Sequence, residues 1–440
     1  MNLLPWTLRL RDVLKRGPGY HVWRRRLTAS ARWTAAELDR FRVTRLRALL
    51  TQAARAPYYR EVFAEVGFEP ARLQSVDELT RLPLLDKEII RARPGGFDTR
   101  WPVPGRVTST GGSSGQPLSF RQPVDALWGE AAFTDHVLAA HGWRPGDRMA
   151  VFRGGTLGVP RVRAGERLHL SGYHLDDESL RGHALALAVH RPAFIHCYPS
   201  LLDRLAAFML REGLRLPGAP RAALCASEAL HAHQRERIFA ALGCPCIGHY
   251  GMSEQVALAV EDGGWFFLPQ YGVVELVPVG EGLHEIVGTG FLNRAFPFVR
   301  YRTGDLVADP EPDSYSSFGV RGLRVGRLVG RRQEVVVARD GARVPFNHMV
   351  FSIHTGFWEQ VATYQMVQDA PGRVVLRVVP LSGGRDGLAF AMRAELAARI
   401  GHLVDVEVEV VEQIAAVGRG KARWFRGIDE PTPGPLTPDA

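Results

Sequence analysis

Residues 108–117, TSTGGSSGQP, bring together groups that suit phosphate binding. The segment holds five hydroxyl side chains and three glycines ahead of Pro117. A loop of this composition can direct backbone N–H groups and hydroxyls at phosphate oxygens. The same composition is typical of a flexible surface linker, and the P-loop signature is missing because Gln116 stands where a lysine would be. Taken alone, the segment leaves both interpretations open.

A second segment, HYGMSE at residues 249–254, joins an aromatic ring, a glycine, a hydroxyl and a carboxylate. It follows the apolar CPCIG, so we expect it at the end of a strand. There Tyr250 could stack on a base, and Glu254 could ligate Mg²⁺ bound to phosphates. The alternative is an ordinary turn with a helix cap.

Two further segments carry groups that could bind a nucleotide. YRTGDL, residues 301–306, is expected to end a strand in a Thr-Gly-Asp turn, which would fix Asp305 where its carboxylate could accept both ribose hydroxyls. GRRQEVVVARDG begins with Gly330 and Arg331 at a suspected domain junction, where the guanidinium could pair with phosphate or ribose oxygens. A plain hairpin turn and a surface arginine are the alternatives.

Lys421 lies in GRGKAR, residues 418–423, a glycine-flanked segment near the C-terminus. Among the 55 lysines and arginines only three are lysines, namely Lys15, Lys87 and Lys421. A lysine in this loop of an arginine-rich chain hints that a compact, single-point cation is needed there. We expect Lys421 to complete the active site.

The pattern of apolar residues predicts an α/β protein with two folded parts. Residues 1–60 have helical spacing up to Pro57, and apolar runs such as RMAVF, AFIHCY and AALCAS then alternate with helical patterns to about residue 250. Between residues 265 and 310 strands dominate, which predicts an antiparallel, barrel-like β subdomain. We predict a large N-terminal domain of mixed sheets with helices over 1–330, a small α+β C-terminal domain over 331–430 and a disordered tail over 431–440.

Composition narrows the classes of function. The net charge is +9, but the arginines are scattered without a long basic run, which argues against nucleic-acid binding. No stretch reaches the roughly 18 apolar residues of a membrane span, and the N-terminus lacks the pattern of a secretory signal. We expect a cytoplasmic protein with neither a membrane nor a nucleic acid as partner. The four cysteines are expected to be reduced thiols in or near the core, because Cys244, Cys246 and His249 fall short of a zinc site.

Taken together and in order, these segments resemble the motifs of the adenylate-forming superfamily, which includes acyl-CoA synthetases, nonribosomal peptide adenylation domains and luciferases. The resemblance runs from about residue 45 to 428. It extends to the phenylacetate-CoA ligase branch and its CapK-like relatives of capsular polysaccharide biosynthesis through APYYREVFAEVGF, LPLLDKEII, CASEAL and LPQYGVVEL.

The resemblance implies a role for each segment. The loop from Ser109 to Gly115 would grip the ATP phosphates, Glu254 would hold Mg²⁺ and Asp305 would bind the ribose. Lys421, on a mobile C-terminal domain, would reach the substrate carboxylate and the α-phosphate. The implied nucleotide-binding residues are Ser109, Thr110, Gly111, Gly112, Ser113, Ser114, Gly115, Ser227, Glu228, Tyr250, Gly251, Met252, Ser253, Asp305 and Arg331.

The resemblance also implies a hinge just after Arg331, at Arg332 and Gln333. The hinge residue that is usually aspartate is Gln333 in this chain, and Gln116 replaces a lysine common at the end of the phosphate loop. The second change would slow the reaction without abolishing it, because backbone and hydroxyl contacts remain.

The implied reaction uses ATP and Mg²⁺ to activate a small-molecule carboxylic acid as an acyl-adenylate. The acyl group would pass to a thiol of CoA or of a carrier protein, or alternatively to an amine in polysaccharide or natural-product biosynthesis. Tyr198, His196 and His249 could touch the acyl group, with a buried structural role as the alternative for each. A nucleotide-binding scaffold without turnover is the alternative of another class.

Overall fold

The computed structural model describes residues 13–109, 118–153, 159–172, 174–280, 282–331, 335–341, 343–345, 360–381, 387–414 and 424–428, together with Thr7, Leu8 and Leu10. The chain forms two compact units, the larger ending at Leu328 and the smaller beginning at Val329. Several predicted features lie outside the described residues. They are the loop residues 110–117, the hinge residues Arg332 and Gln333, the helix predicted for FNHMVFSIHTGF, Lys421 and the tail 431–440.

The described helices begin at recognisable signals. Thr34 and Glu37 form a capping box ahead of the second helix, and Pro57 occupies the first turn of the third, where proline costs no hydrogen bond. None of the described helices is long and apolar enough to cross a membrane. The helices are α1 (Pro18–Ser30), α2 (Ala35–Ala53), α3 (Pro57–Glu65), α4 (Lys87–Ala92), α5 (Val124–Ala140), α6 (Asp177–His190), α7 (Pro199–Arg211), α8 (Ala232–Leu242) and α9 (Leu388–Ile400), with 3-10 turns at Pro70–Arg72 and Val76–Arg81.

The strands of the larger unit form a small hairpin and one large sheet. The hairpin consists of β1 (Gly105–Ser109) and β2 (Ser119–Pro123). The strands of the sheet are β3 (Met149–Arg153), β4 (Arg161–Ala164), β5 (Arg167–Ser171), β6 (Phe194–Cys197), β7 (Ala222–Ala226), β8 (Cys246–Gly251), β9 (Leu258–Glu261), β10 (Trp265–Phe267), β11 (Gly272–Gly280), β12 (Leu283–Gly290), β13 (Tyr301–Tyr315) and β14 (Arg321–Arg331).

The large sheet has twelve strands in the order β11-β12-β13-β14-β10-β9-β8-β7-β6-β3-β5-β4. The strands β8, β7, β6, β3 and β5 run parallel, as expected where apolar runs alternate with helices. From β9 onwards the pairs β8–β9, β9–β10, β10–β14, β11–β12 and β12–β13 are antiparallel, as predicted. Among the described residues these strands continue the same sheet instead of forming a sheet of their own.

Two layers of helices cover the parallel half of the sheet. On one face α1 and α5 bury Trp23, Phe133 and Val137 against Leu224 and Ile247. On the other face α6, α7 and α8 pack against alternate residues of the same strands. The members of that second core include Leu187, Leu205 and Ile238 of the helices and Phe152, Ile195 and Ala223 of the strands.

Three of the four cysteines are buried in this region, as predicted. The sulfurs of Cys197 and Cys225, on neighbouring strands, lie 3.7 Å apart as free thiols, and Cys246 is partly buried. Burial raises the pKa of the Cys197 thiol. These side chains pack as small apolar groups.

The smaller unit contains two antiparallel strands, β15 (Val335–Val337) and β16 (Arg343–Pro345), and a four-stranded sheet. That sheet has the order β19 (Asp405–Val410), β18 (Arg373–Pro380), β17 (Val361–Ala370), β20 (Phe425–Arg426). Helix α9 packs on it through Leu388, Met392 and Leu396, whose four-residue spacing places them on one side of the helix. The predicted strands RVVLRVVPL and VDVEVEVV and the predicted helix are confirmed, whereas β17 was missed.

Tyr59 on α3 connects the helical N-terminal part to the chain that leads into β13. Its side chain is 3% exposed, and its hydroxyl donates to the carbonyl of Pro297 at 2.7 Å. The same hydroxyl accepts from the backbone N–H of Val299 at 3.2 Å. One phenol therefore pairs two buried backbone groups just before Tyr301.

We predict that Tyr59→Phe lowers the free energy of unfolding by about 1–3 kcal/mol, because it leaves those two backbone groups unpaired in the core. Urea denaturation of the full chain measures the change. The matched control is Tyr58→Phe, since the Tyr58 hydroxyl has no hydrogen-bond partner in the described part of the chain, and its effect should stay within about 0.5 kcal/mol. Equal effects of the two variants would contradict the prediction.

Candidate active site

The larger unit has a topological switch point between β3 and β6. From β3 the chain continues through β4 to β5 on one side, and α6 then returns it to β6 on the other side. In open α/β sheets, ligands bind outside the carboxyl ends of strands at such a point. Arg153 ends β3 and Tyr198 follows β6, so both border this crevice.

The strand register places Arg153, His196 and His249 on one face of the sheet, because residues two apart along a strand share a face. The pairs that fix the register are Val151 with His196, His196 with Leu224, and Ala226 with His249. This is the face that α5 covers. Two histidines and an arginine from three strands thus lie on one face near the carboxyl edge.

The guanidinium of Arg153 contacts three side chains, those of Ser227, His196 and Tyr198. Nη2 donates to the Ser227 hydroxyl at 3.0 Å, and Nη1 lies 3.3 Å from His196 Nε2. The guanidinium carbon lies 5.2 Å from the centre of the Tyr198 ring, within cation–π range. The arginine therefore holds together residues from the ends of β6 and β7.

Both histidines are held in the neutral form. Burial, reinforced by the positive charge of Arg153, lowers the pKa of His249 to about 4. The same two causes hold the pKa of His196 well below its usual value. Because the guanidinium can only donate, His196 Nε2 accepts, which places the proton of that ring on Nδ1.

Glu130 of α5 is partly buried above the same face. Its Oε2 accepts from Gln255 Nε2 at 3.0 Å and from the hydroxyl of Tyr271. Burial raises the pKa of Glu130, and the hydrogen bond from Tyr271 opposes that rise. The positive charge of Arg153 also acts to lower the pKa of this carboxyl.

Ser227 and Glu228 follow β7 in a constrained backbone. Ser227 has φ +72°, a left-handed conformation that is strained for a non-glycine residue and is typical of functional loops. Glu228 Oε2 accepts from the backbone N–H of Ser200 at 3.1 Å, in the first turn of α7, where a helix favours negative charge. The two predicted residues therefore lie at the same carboxyl edge as Arg153.

Tyr250 and Asp305, both predicted from separate segments, form a hydrogen bond. The Tyr250 hydroxyl donates to Asp305 Oδ2 at 2.8 Å. Tyr250 lies next to the end of β8, where the sequence placed it. Because consecutive strand residues point to opposite faces, this pair lies across β8 from His249.

Asp305 lies in a bulge within β13, and the predicted end of a strand at this point is wrong. Leu306 pairs with Glu285 and Arg302 with Val287, so Thr303, Gly304 and Asp305 stand opposite the single residue Ile286 and β13 has two extra residues in the ladder. The Thr303 hydroxyl donates to the Ile286 carbonyl at 2.8 Å and accepts from the Asp305 N–H at 3.0 Å. Gly304 has φ +75°, so the bulge needs glycine there.

Glu254 is 7% exposed, and its Oε1 accepts from the Tyr301 hydroxyl at 3.0 Å. It lies in a turn closed by the Gln255 N–H and the Met252 carbonyl, and β9 follows this turn. The alternative of a helix cap at HYGMSE is therefore wrong. Among the described residues, no group of three or more His, Cys, Asp or Glu is arranged to hold a metal ion.

The remaining predicted residues that the structure describes lie at strand ends or in the turn after β8. Gly251 ends β8, and Met252 and Ser253 follow it in the turn. Ser109 ends β1 and Arg331 ends β14, with their backbones described. The structure thus brings Tyr250 of β8 into contact with Asp305 of β13, and Ser227 and Glu228 follow the neighbouring strand β7.

Sequence reasoning missed Arg153, Glu130 and Tyr301. Arg153 had a local signal, because it ends the apolar run MAVF and precedes the glycines of GGTLG. Glu130 had none that distinguishes it from a charged residue on the exposed side of a helix. Its burial depends on packing that no local pattern encodes.

Comparison with curated proteins yields distant relatives along most of the chain. No protein-family model matches. The chain is 23% identical over 380 residues to Protein CapK of Staphylococcus aureus, which covers 83% of this chain and 84% of that protein. It is 27% identical over 342 residues to a phenylacetate-coenzyme A ligase of Thermus thermophilus, with 71% and 74% of the two chains covered.

Among solved structures, the fold is similar to that of 2-hydroxyisobutyryl-CoA ligase in the postadenylation state in complex with 2-HIB-AMP. The TM-score is 0.69 at 22% identity, with 90% of each chain covered. An open conformation of the same ligase in complex with 2-HIB-AMP and CoA gives a TM-score of 0.57 at 21% identity, with 89% and 92% covered. The chain is thus similar in sequence to Protein CapK and to phenylacetate-coenzyme A ligases, and similar in fold to an acyl-CoA ligase.

Proposed function

We propose that the chain is an AMP-forming carboxylate ligase. It converts a carboxylic acid and ATP to an acyl-adenylate and pyrophosphate, and then transfers the acyl group to a thiol, with CoA as the first candidate. The proposal rests above all on the bond between Tyr250 and Asp305, because it fixes an aromatic ring and a carboxylate side by side, as adenosine recognition requires. The names of the phenylacetate-coenzyme A ligases among the relatives support the reaction class.

In the first half-reaction, an oxygen of the substrate carboxylate attacks the α-phosphorus. The bond from that phosphorus to the bridging oxygen breaks, and pyrophosphate leaves. Negative charge grows on the phosphoryl oxygens, so fixed N–H groups and cations lower the barrier. The hydroxyls and N–H groups of Ser109 to Gly115 would hold the phosphates, and the ammonium of Lys421 would approach the α-phosphate.

Asp305 would accept the ribose hydroxyls while Tyr250 borders the adenine. The segment Ser227–Glu228 would line the other side of the base, held by the contacts to Arg153 and Ser200. Arg331 would reach the nucleotide from the domain junction. These roles use side chains that strand ends and hydrogen bonds hold in place, which keeps the reorganisation cost low.

Glu254 suits a cation that is shared with the phosphates of a bound nucleotide. Mg²⁺ is commonly held by one or two carboxylates together with substrate phosphate oxygens, so a single buried carboxylate at a strand end fits it. The bound cation would neutralise charge on the leaving pyrophosphate.

In the second half-reaction, a nucleophile attacks the carbonyl carbon of the acyl-adenylate and AMP leaves. We place the CoA thiol first, and a carrier-protein thiol or an amine are the other acceptors. The smaller unit, carrying Lys421 over 331–430, would move about Arg332 and Gln333 between the two steps. A cytoplasmic location suits the use of ATP and of an intracellular acceptor.

We predict that Lys421→Ala lowers the rate of ATP–pyrophosphate exchange by about 10²- to 10³-fold, because it removes one cation from the developing phosphoryl charge. The assay uses a panel of aryl, fatty and amino acids. The dissociation constant for ATP should change little. Arg419→Ala is the matched control, since it removes a positive charge two residues from Lys421 in the sequence and should leave exchange unchanged.

Exchange that persists in Lys421→Ala at the rate of the unchanged chain contradicts the role of this lysine. Exchange with no acid at all, together with tight ATP binding, favours a scaffold without turnover. Where exchange occurs, addition of CoA, a carrier protein or an amine identifies the acceptor by the acylated product.

We predict that Asp305→Ala weakens ATP binding by about 10- to 100-fold, since two hydrogen bonds to a charged acceptor are lost. The informative readout is the ratio of affinities for ATP and 2′-deoxy-ATP, measured by calorimetry. The unchanged chain should prefer ATP, and the variant should lose that preference. A variant that binds both nucleotides more weakly while still preferring ATP would show that Asp305 does not contact the ribose.

We predict that Glu254→Gln raises the Mg²⁺ concentration for half-maximal exchange by about 10-fold or more, because a charged ligand is replaced by a neutral one. Tyr301→Phe removes only the hydroxyl that donates to Glu254, and it should shift that concentration by less than about threefold. A magnesium titration of both variants compares them. Equal shifts would mean that the carboxylate acts through the pair and not as a ligand.

A further inference from the structure

Arg153 is a partly buried cation with no ion-pair partner among the residues that the structure describes. Other arginines of the larger unit are paired, such as Arg235 with Glu261 at 2.5 Å and Arg300 with Glu275 at 2.8 Å. The described hydrogen-bond partners of Arg153, Ser227 and His196, are both uncharged. An arginine that keeps its charge without a paired carboxylate has capacity to bind a further acceptor.

His249 supplies a second, independent observation. Its Nε2 is buried and has no hydrogen-bond partner in the described part of the chain. Buried polar atoms are almost always paired, and an exception in a native fold calls for a ligand, a water or a functional reason. His249 lies on the same face of the sheet as Arg153, and the strands β7 and β6 lie between β8 and β3.

The two groups occupy the position that an acyl group would take under the proposed function. The nucleotide would lie with Tyr250 and Asp305, and β8 turns His249 to its other face. The reacting carboxylate must meet the α-phosphate at this strand end. The remainder of the acid would then extend into the crevice at the switch point, towards Arg153.

We infer that Arg153 is a specificity-determining residue that selects acids with a second oxygen acceptor, remote from the reacting carboxylate. The acceptor is a carboxylate, a hydroxyl or a carbonyl oxygen, and the guanidinium donates to it. An apolar acid of the same shape would leave that guanidinium unpaired, which is how a site built for hydrogen bonding rejects apolar analogues. This inference rests on the proposed ligase function.

The possible acceptors differ in how they change the net charge around Arg153. Glu130 lies above the same face, and the positive charge of Arg153 acts to lower the pKa of its carboxyl, which burial raises. A neutral hydroxyl would bind without adding charge to the site. A second carboxylate would add a negative charge, which the guanidinium would have to neutralise. Hydroxy acids and dicarboxylates would both accept from the Arg153 guanidinium, but their affinities would respond differently to the charge of Glu130.

The test measures kcat/KM in ATP–pyrophosphate exchange for matched acids from butyrate to octanoate, each as the plain acid, the ω-hydroxy acid and the dicarboxylate. The variants are Arg153→Met, which keeps length without charge, and Arg153→Lys. Arg148→Met is the control, because this arginine precedes the amino end of the same strand, far from the carboxyl edge.

The unchanged chain and Arg148→Met should prefer an oxygen-bearing acid. In Arg153→Met, kcat/KM for that acid should fall by about 10- to 100-fold, mostly through KM, while the plain acid stays within about threefold. Arg153→Lys should restore the dicarboxylate more than the hydroxy acid. Glu130→Gln should favour the dicarboxylate if the acceptor is ionised.

A preference of the unchanged chain for plain acids overturns the inference, and so does an equal loss for all acids in Arg153→Met, which would mean that Arg153 only positions Ser227 and Tyr198. Absence of exchange with every acid overturns the proposed function instead. In that event, calorimetry with the dicarboxylate and the plain acid alone still tests Arg153. Equal binding of the two, or no effect of Arg153→Met, would exclude the selection.

Discussion

The site depends on the double role of β8. This strand is parallel to β7 and antiparallel to β9, so it joins the two halves of the large sheet. His249 and Tyr250 follow each other along it and point to opposite faces. A shift of register by one residue would exchange them, and Tyr250 could then no longer reach Asp305. The pairing of β8 with both neighbours therefore fixes which face holds which chemistry.

The two faces of the sheet carry different arrangements of ionisable groups. On one face, Arg153 and Glu130 are ionisable and partly buried, and the same face carries two histidines that burial keeps neutral. On the other face, Asp305 and Tyr250 form a direct pair at the edge of a bulge. Electrostatic interactions are stronger where water is excluded, so small differences between bound groups become large differences in affinity. Side chains that donate hydrogen bonds, such as Arg153, can therefore discriminate strongly between bound groups at these partly buried positions.

Much of the fold could be predicted from local patterns. The strands RMAVF, AFIHCY and AALCAS and the break at Pro57 depend on residues close in sequence, and the structure contains them. The bulge in β13 could not be predicted in this way. Thr303 and Gly304 are typical of a turn, and only the pairing of β12 on both sides makes them extra residues in a continuous strand.

The site divides in the same way. Tyr250, Asp305 and Glu254 lie in short segments whose residue types suggest their chemistry. Arg153 and Glu130 take their surroundings from residues far away in sequence, so no segment marks them. That division has a physical basis: contacts to the nucleotide are the same for every acid, whereas contacts to the acid differ with its shape and charge. Under the proposed function, residues outside the motifs would therefore carry the choice of substrate, and the crevice at the switch point is where this chain would differ from its relatives.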